Sequence, residues 1–301
     1  MKKQLQLLWG HRAQVIMAMP VFLIFLFFSY VPMAGLVLAF KDFDYKLGLW
    51  QSPWNGLANF KFLLASKQTF LQMTLNTVMY YLIFTAAGML LEIAIAIAMD
   101  QLAFKRLGKV MQSVLIVPIF ISYTAVQFIV YAFLSSNTGI INNLFGSSTR
   151  WYMEAKYWPV ILTVVKLWNG TGYGAVLYMS VLAGIDQQMY EAAQIDGANK
   201  WQQIRHVTLP SLLPMMTVML LLSVGSIMHS DTGLFYQVTR NSGTLYSTTQ
   251  VIDSYILNAI FHNSNFGFTA AATFFQSVVG TILILLSNAA VRKIHPENAL
   301  F

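Results

Sequence analysis

The residues whose types and spacing best suit a specific task are Glu191, Ala192 and Ala193, followed by Gly197 and Pro210. One carboxylate beside two small side chains lets another surface come close and leaves a charge at the contact. This chemistry suits the docking of a partner better than catalysis. An ordinary helical loop at a membrane surface is the alternative interpretation.

The local sequence predicts a helix, a glycine turn and a second helix. Residues 191–195 are good helix formers, and Asp196 and Gly197 follow them as a turn. Asn199 can cap the next helix, which either ends at Pro210 or continues there into the following apolar segment. The predicted docking loop therefore covers about residues 186–210.

A second polar set lies inside an apolar stretch, at residues 166–174. Aromatic rings pack on the C–H faces of sugars, and amide or hydroxyl groups bind their hydroxyls, so this composition suits a carbohydrate path. The three glycines could instead serve close helix packing or local unwinding. The residues assigned to the predicted path are Trp168, Asn169, Gly170 and Tyr173, with Ile227 and Ser230 at the end of the next apolar segment.

The elements that position these residues are membrane helices. The chain has 57% hydrophobic and 10% charged residues, against about 25% charged in soluble domains. Apart from Lys166, six windows of sufficient length for a membrane helix carry no Asp, Glu, Lys or Arg. They are residues 13–40, 68–91, 110–149, 157–185, 206–230 and 254–291. The sequence thus predicts an all-α integral membrane protein of six transmembrane helices, forming one domain over residues 1–301.

The distribution of Lys and Arg predicts the orientation. With the N-terminus inside, the inner segments carry ten of these residues and the outer segments seven. The inner loop at residues 100–109 is short and dense in Lys and Arg, which is where this rule is most reliable. Both termini and the docking loop are therefore predicted to lie in the cytoplasm, in a multi-pass protein of the cell membrane.

Two charges within the spans have open roles. A carboxylate costs about 2.5 to 3.5 kcal/mol at a helix centre and less near its ends, and Glu92 lies toward the inner end of its span. It could face protein or the inner interface, or serve ion coupling. Lys166 could extend to the interface or act as a functional charge.

Several function classes lack their motifs. The sequence has no phosphate-binding loop, no kinase or hydrolase motif, no cysteine and no cysteine–histidine metal pattern, so we expect no catalytic site, no metal site and no bound cofactor. The net charge of +7 is scattered over short loops, which favours membrane topology over nucleic-acid binding. His229 and Asp231 lack a second ligand set, so a cavity lining or a polar cluster at the outer end is expected there.

The docking loop resembles the signature loop of ATP-binding-cassette importer permeases. Glu191-Ala192-Ala193, three residues, Gly197, nine residues and then Val207-Thr208-Leu209-Pro210 match EAA-x3-G-x9-[IV]-x-L-P. Stretches near residues 30–42, 52–60 and 184–186 are similar to the LplB-like branch of carbohydrate-uptake permeases, so the resemblance covers nearly the whole chain.

The resemblance implies the type I importer fold and import of an oligosaccharide by alternating access. A second, similar permease, two copies of a cytosolic ATPase that holds ATP and Mg, and an extracellular solute-binding protein would be the partners. The sugar, its linkage and its length are not specified by the residues. An importer permease for a non-sugar solute, an ion-coupled secondary transporter using Glu92 and Lys166, and a non-transporting membrane subunit are the alternatives.

Overall fold

The computed structural model describes residues 11–61, 67–101, 105–263, 266–294, 296 and 299. Lys2 and Lys3, which contribute to the predicted orientation, lie outside these residues. Two compact units are present, one made of Met1–Ala65 and Ala259–Phe275 and the other of Ser66–Asn258 and Gln276–Phe301. The single domain over residues 1–301 stays a prediction.

The described part of the chain is helical and contains no β-strand. The helices are α1 (Arg12–Phe25), α2 (Gly48–Gln51), α3 (Lys67–Asp100), α4 (Lys105–Ile116), α5 (Tyr123–Leu134), α6 (Ile140–Phe145), α7 (Trp158–Leu182), α8 (Gln187–Ile195), α9 (Lys200–Gln203), α10 (Leu209–Val224), α11 (Tyr246–Thr249), α12 (Ile252–Asn258) and α13 (Phe266–Ile294).

Helices long and apolar enough to cross a membrane confirm the prediction of six spans. Five are continuous, and the sixth is a pair, Gly108–Phe120 and Tyr123–Leu134, bent by 99°. The sequence places one span there and does not predict the break. The continuous spans are Arg12–Phe40, Gln68–Asp100, Ala155–Leu182, Lys200–Val224 and Phe266–Lys293.

Proline accounts for the local changes of helix type. The first span passes from α1 through a π-helical turn into the 3₁₀ helix Val31–Phe40, with Pro32 at its start. In the bent pair, Pro118 stands in the 3₁₀ turn Val117–Phe120, and Ile121 adopts an extended backbone. Because proline lacks an N–H and clashes with the preceding turn, the helix ends there, and Ser122 caps α5.

The first unit is tied together by one asparagine and by aromatic rings. The Nδ2 of Asn59 donates to the carbonyl oxygens of Leu38, Ala39 and Lys41. Around this contact the rings of Phe40, Phe60 and Phe274 meet with centroids 5.4 to 6.1 Å apart. The segment after the first span is therefore folded, although Trp50 and Trp54 on it remain largely exposed.

The second unit has two buried clusters along α7. Near the start of α7, Trp158 and Leu162 pack with Tyr80 of α3 and with residues of α5. Near its end, Tyr178 and Leu182 pack with α3 and α10. α7 is thus the central helix of this unit, and the docking loop continues directly from its C-terminus.

Candidate functional site

The docking loop has the predicted helix–turn–helix structure. α8 ends in a Schellman motif, in which the N–H of Ala198 donates to Ala193 O and the N–H of Gly197 to Gln194 O. Gly197 has φ +81°, a left-handed conformation that glycine adopts without a steric penalty. Asn199 then forms a capping box with Gln202 at the start of α9.

The loop exposes several charged side chains, among them Glu191, together with three large apolar side chains. Glu191 is exposed, as are Met189, Ile195 and Trp201, and Ile195 retains 86% of its accessible surface. Ala192 beside Glu191 is exposed and leaves room for a partner. A protruding apolar side chain at a turn, next to a charge and small residues, is the composition of a docking surface.

The loop is also joined to the next membrane helix. The hydroxyls of Tyr190 on α8 and Thr208 lie 3.0 Å apart. Thr208 is buried in the π-helical turn Ile204–Thr208, which continues into α10 with Pro210 in its first turn. The Tyr190–Thr208 contact therefore joins α8 to the turn that leads into α10.

The polar and glycine residues of α7 meet the broken span. Asn169 is buried, and its Nδ2 donates to Pro118 O over 2.7 Å. A Cβ on Gly172 would overlap the backbone of Leu115, so only glycine allows this approach. The break leaves backbone carbonyl and N–H groups without helical partners, and within a membrane the protein itself must supply hydrogen bonds to them. Asn169 supplies a hydrogen bond at the break, to the carbonyl oxygen of Pro118.

Two of the three glycines of α7 allow close approach, and none of them marks an unwound segment. α7 is continuous from Trp158 to Leu182 through Gly170, Gly172 and Gly174. A Cβ on Gly174 would overlap the Glu92 carboxylate, whereas Gly170 has open space around its Cα. Gly172 and Gly174 therefore serve close packing, and Gly170 does not.

The exposed path residues lie apart from these packed ones. Trp168 is 44% exposed and lines an apolar groove of about 550 Å³ with Val126 and Phe133. Tyr173 is 52% exposed, and Gly170 is half-buried. Asn169 and Tyr173 are four positions apart, so they share one face of α7, and the environment of this face changes from buried at Asn169 to exposed at Tyr173. Their role in a path stays a prediction.

Of the two charges with open roles, Lys166 has an ion-pair partner and Glu92 borders a cavity. Lys166 Nζ lies 3.1 Å from Asp231 Oδ2, and this ion pair links α7 to the segment that follows α10. Glu92 borders a cavity of about 180 Å³ together with Gly88, Gly174 and residues of α10. The Lys166 ion pair also connects the two predicted path segments, since Asp231 is the residue after Ser230.

Ser230 belongs to a network centred on Asp253. The backbone N–H and the hydroxyl of Ser230 donate to Asp253 Oδ2 over 2.7 and 2.8 Å, and Gln276 Nε2 lies 3.2 Å from the same oxygen. His229 Nδ1 lies 3.7 Å from Asp253 Oδ1. Ile227 is half-buried beside this network. The polar cluster expected at this end of α10 is therefore organised by a carboxylate of α12.

This network is expected to weaken as the pH rises. The neighbouring Asp253 carboxylate raises the pKa of His229 above the ordinary 6.5, against the opposing effect of burial. A pKa raised on folding stabilises the folded state fully below the unfolded value, and the stabilisation is lost as the pH rises through the folded value. We expect the melting temperature of the wild type to decrease between pH 6 and pH 8.5. The same decrease should be smaller in His229→Gln, because this variant lacks the titrating imidazole.

His206→Gln is the matched control, because it removes an exposed imidazole far along the chain from Asp253. It should keep the wild-type pH dependence. An unchanged pH dependence in His229→Gln would show that the pair with Asp253 contributes nothing.

Together these features define a helical membrane protein with one broken span. It has an exposed helix–turn–helix between α7 and α10, and polar groups of α7 lie against the break. Residues 92–296 match the family model described as the inner membrane component of binding-protein-dependent transport systems. The chain belongs to this family.

Individual relatives agree with the family match. The chain is 29% identical to Protein LplB of Bacillus subtilis over 94% of this chain and 89% of that protein. It is 27% identical to the polygalacturonan/rhamnogalacturonan transport system permease protein YteP of the same organism, over 94% and 88%. A crystal structure of a bacterial alginate ABC transporter, in complex with an alginate pentasaccharide-bound periplasmic protein, contains a chain with 28% identity and a TM-score of 0.84, covering 97% of each chain.

Proposed function

We propose that this chain is the transmembrane permease subunit of an ATP-binding-cassette importer for an oligosaccharide. The observation that carries the proposal is the exposed helix–turn–helix, whose Glu191, Ala192, Ala193 and Gly197 match the family's ATPase-coupling motif. Relatives described as polygalacturonan/rhamnogalacturonan and alginate transporters support a carbohydrate as the substrate.

The proposed partners follow from the family. A second homologous permease completes the membrane part, two copies of a cytosolic ATPase bind ATP and Mg, and a solute-binding protein delivers the sugar from outside. The complex of the similar alginate transporter with its periplasmic protein supports this last partner. The distribution of Lys and Arg favours cytoplasmic termini and a cytoplasmic docking loop.

The proposed mechanism is alternating access. Closure of the ATPases moves α8, and the Tyr190–Thr208 contact passes this movement to α10. α10 and α7 both contact α3, so a shift at the loop changes how these helices enclose the path. Hydrolysis then returns the helices to their first arrangement.

The transport experiment is uptake of labelled oligosaccharide into proteoliposomes that contain the two permeases, the ATPases and the solute-binding protein. We expect uptake with ATP and none with a hydrolysis-deficient ATPase. Uptake that continues without hydrolysis and stops when an ion gradient is removed would instead favour the secondary transporter.

Tyr173→Ala is expected to change uptake without disturbing the fold. The ring is 52% exposed, so its removal leaves no large cavity, while loss of one sugar contact costs on the order of 1 kcal/mol, about a several-fold change. The measurement is the rate of uptake for oligosaccharides of different length, together with the melting temperature. A lowered melting temperature with an unaltered substrate profile would assign Tyr173 to packing alone.

A further inference from the structure

A pocket of about 540 Å³ lies at the C-terminal end of α5, beside the segment that leads into α7. Its lining combines one guanidinium with aromatic rings and small polar groups. α7 has 25 residues, so at 1.5 Å per residue about 37 Å separates this pocket's end of the helix from the docking loop. The main lining residues are Tyr131, Tyr152, Ser136, Asn137, Arg240 and Ser242.

Arg240 is held in an unusual backbone conformation. Arg240 and Asn241 have φ +54° and +48°, a backbone conformation that residues other than glycine rarely adopt. Asn241 is fixed there by two hydrogen bonds with the Asn258 amide, at 2.7 and 2.9 Å, and by one from Tyr246 Oη at 2.9 Å. Strained conformations persist where the surroundings impose them, and they are concentrated at functional sites.

The conformation places the guanidinium on an aromatic face. Arg240 Cζ lies 4.4 Å from the ring centroid of Tyr131, and the Tyr152 ring lies next to Tyr131 at 5.8 Å. A stacked guanidinium keeps the donors at its edge available for an anion. Tyr152 is itself positioned by its hydroxyl, which donates to Val238 O over 3.4 Å.

The charge of Arg240 has no counter-ion in the described part of the chain. No carboxylate lies within 4.0 Å of its guanidinium there, whereas Lys156 and Lys166 each have one. Arg240 is exposed toward the pocket, and Ser136 and Asn137 are exposed at its rim. An anion with several hydroxyl groups would satisfy both the charge and the polar rim.

We propose that this pocket binds an acidic sugar unit, with the carboxylate of a uronate on the edge of Arg240 and its hydroxyls on Ser136, Asn137 and Ser242. Guanidinium–carboxylate bonds are bidentate and charge-assisted, so they select an acidic sugar over a neutral one. The proposal rests on the import of a carbohydrate proposed above, and it adds the charge of the substrate and a site on the side opposite the docking loop.

The test measures binding of trigalacturonate to the purified full-length permease complex by saturation-transfer difference NMR. Its fully methyl-esterified form is the uncharged control ligand. We expect the ester to bind at least about tenfold more weakly, and Arg240→Gln to weaken trigalacturonate binding by about the same factor. Arg240→Lys should retain part of the affinity, and Arg150→Gln, an exposed arginine outside the pocket, should retain all of it.

Arg240→Gly separates folding from binding. Glycine adopts φ +54° without strain, so this variant should fold at least as well as the wild type and still lose the binding. Equal affinity for trigalacturonate in the wild type and Arg240→Gln, or no binding to the wild type, would overturn the proposal. So would weaker docking of the solute-binding protein with unchanged trigalacturonate binding, because Arg240 would then contact an acidic side chain of that protein.

The outcomes for this pocket and for the import function are separate. ATP-driven uptake of an oligosaccharide with no role for Arg240 would remove the acidic-sugar site and leave the importer intact. Arg240-dependent binding of trigalacturonate without ATP-driven uptake in the wild type would support the acidic-sugar site and contradict the importer function.

Discussion

Replacing Gly197 with proline is expected to abolish ATP-driven uptake while leaving the chain inserted in the membrane. Gly197 has φ +81°, whereas proline is fixed near −65°, and its N–H donates to Gln194 O in the Schellman motif. A mismatch of this kind costs about 3 kcal/mol or more. When the variant must regain the wild-type turn to bind the ATPase, this free energy lowers the docking affinity by more than about a hundredfold.

The measurement is co-purification of the ATPase together with ATP hydrolysis and uptake in proteoliposomes. Gly197→Asn is the matched control, because asparagine tolerates the left-handed conformation at this position and should keep coupling largely intact. Glu191→Ala, which removes the contact charge and leaves the turn, should weaken docking to a smaller extent. Normal uptake and normal ATPase co-purification in Gly197→Pro would contradict the assignment of the loop.

Replacing Gly172 with alanine is expected to lower the melting temperature by about 2 to 12 °C. The added Cβ would overlap the backbone of Leu115, which cannot swing aside as a flexible side chain could. Overpacking costs about 1 to 3 kcal/mol, and each kcal/mol corresponds to about 2 to 4 °C for a chain of this order of size. The α4–α5 break, which Asn169 also supports, should be the first region to open.

Gly170→Ala is the control for Gly172→Ala. Both positions are on α7 and both changes add one methyl group, but a Cβ on Gly170 would meet no group within 4 Å beyond the adjacent backbone of α7 itself. Gly170→Ala should therefore keep or slightly raise the melting temperature, since alanine favours a helix by up to about 1 kcal/mol. Equal melting temperatures for the two variants would show that α7 does not pack against the break as described.

The docking loop was predictable from sequence because its signals are local. The helix formers, Gly197 and the cap Asn199 act within a few residues of one another, and the structure has each of them in the expected position; the reciprocal bond from Gln202 is an addition not predicted from the sequence. The six spans were predictable for the same reason, because a continuous apolar run is enough to identify a membrane helix.

The break in the bent span and the partners of the polar groups were not predictable. Proline also occurs inside unbroken helices, as Pro20 does in α1, so Pro118 alone does not predict a break. The acceptor of the Asn169 hydrogen bond is 51 positions away in the chain. The ion pair of Lys166 with Asp231 spans 65 positions. The conformation of Arg240 has no sequence signature, since it depends on hydrogen bonds of Asn241 with a residue 17 positions away. Such contacts are set by the tertiary fold.

Labelling of one introduced cysteine determines whether the Glu191 loop is the cytoplasmic docking site of the ATPase. The chain contains no cysteine, so Gln194→Cys, at an exposed position, provides a unique thiol. An impermeant maleimide should label it in inside-out vesicles and not in right-side-out vesicles, and the bound ATPase should protect it. Ser136→Cys, in the pocket at the other end of α7, should show the opposite sidedness and no protection. Labelling of Gln194→Cys in right-side-out vesicles, or equal labelling with and without the ATPase, would contradict the account.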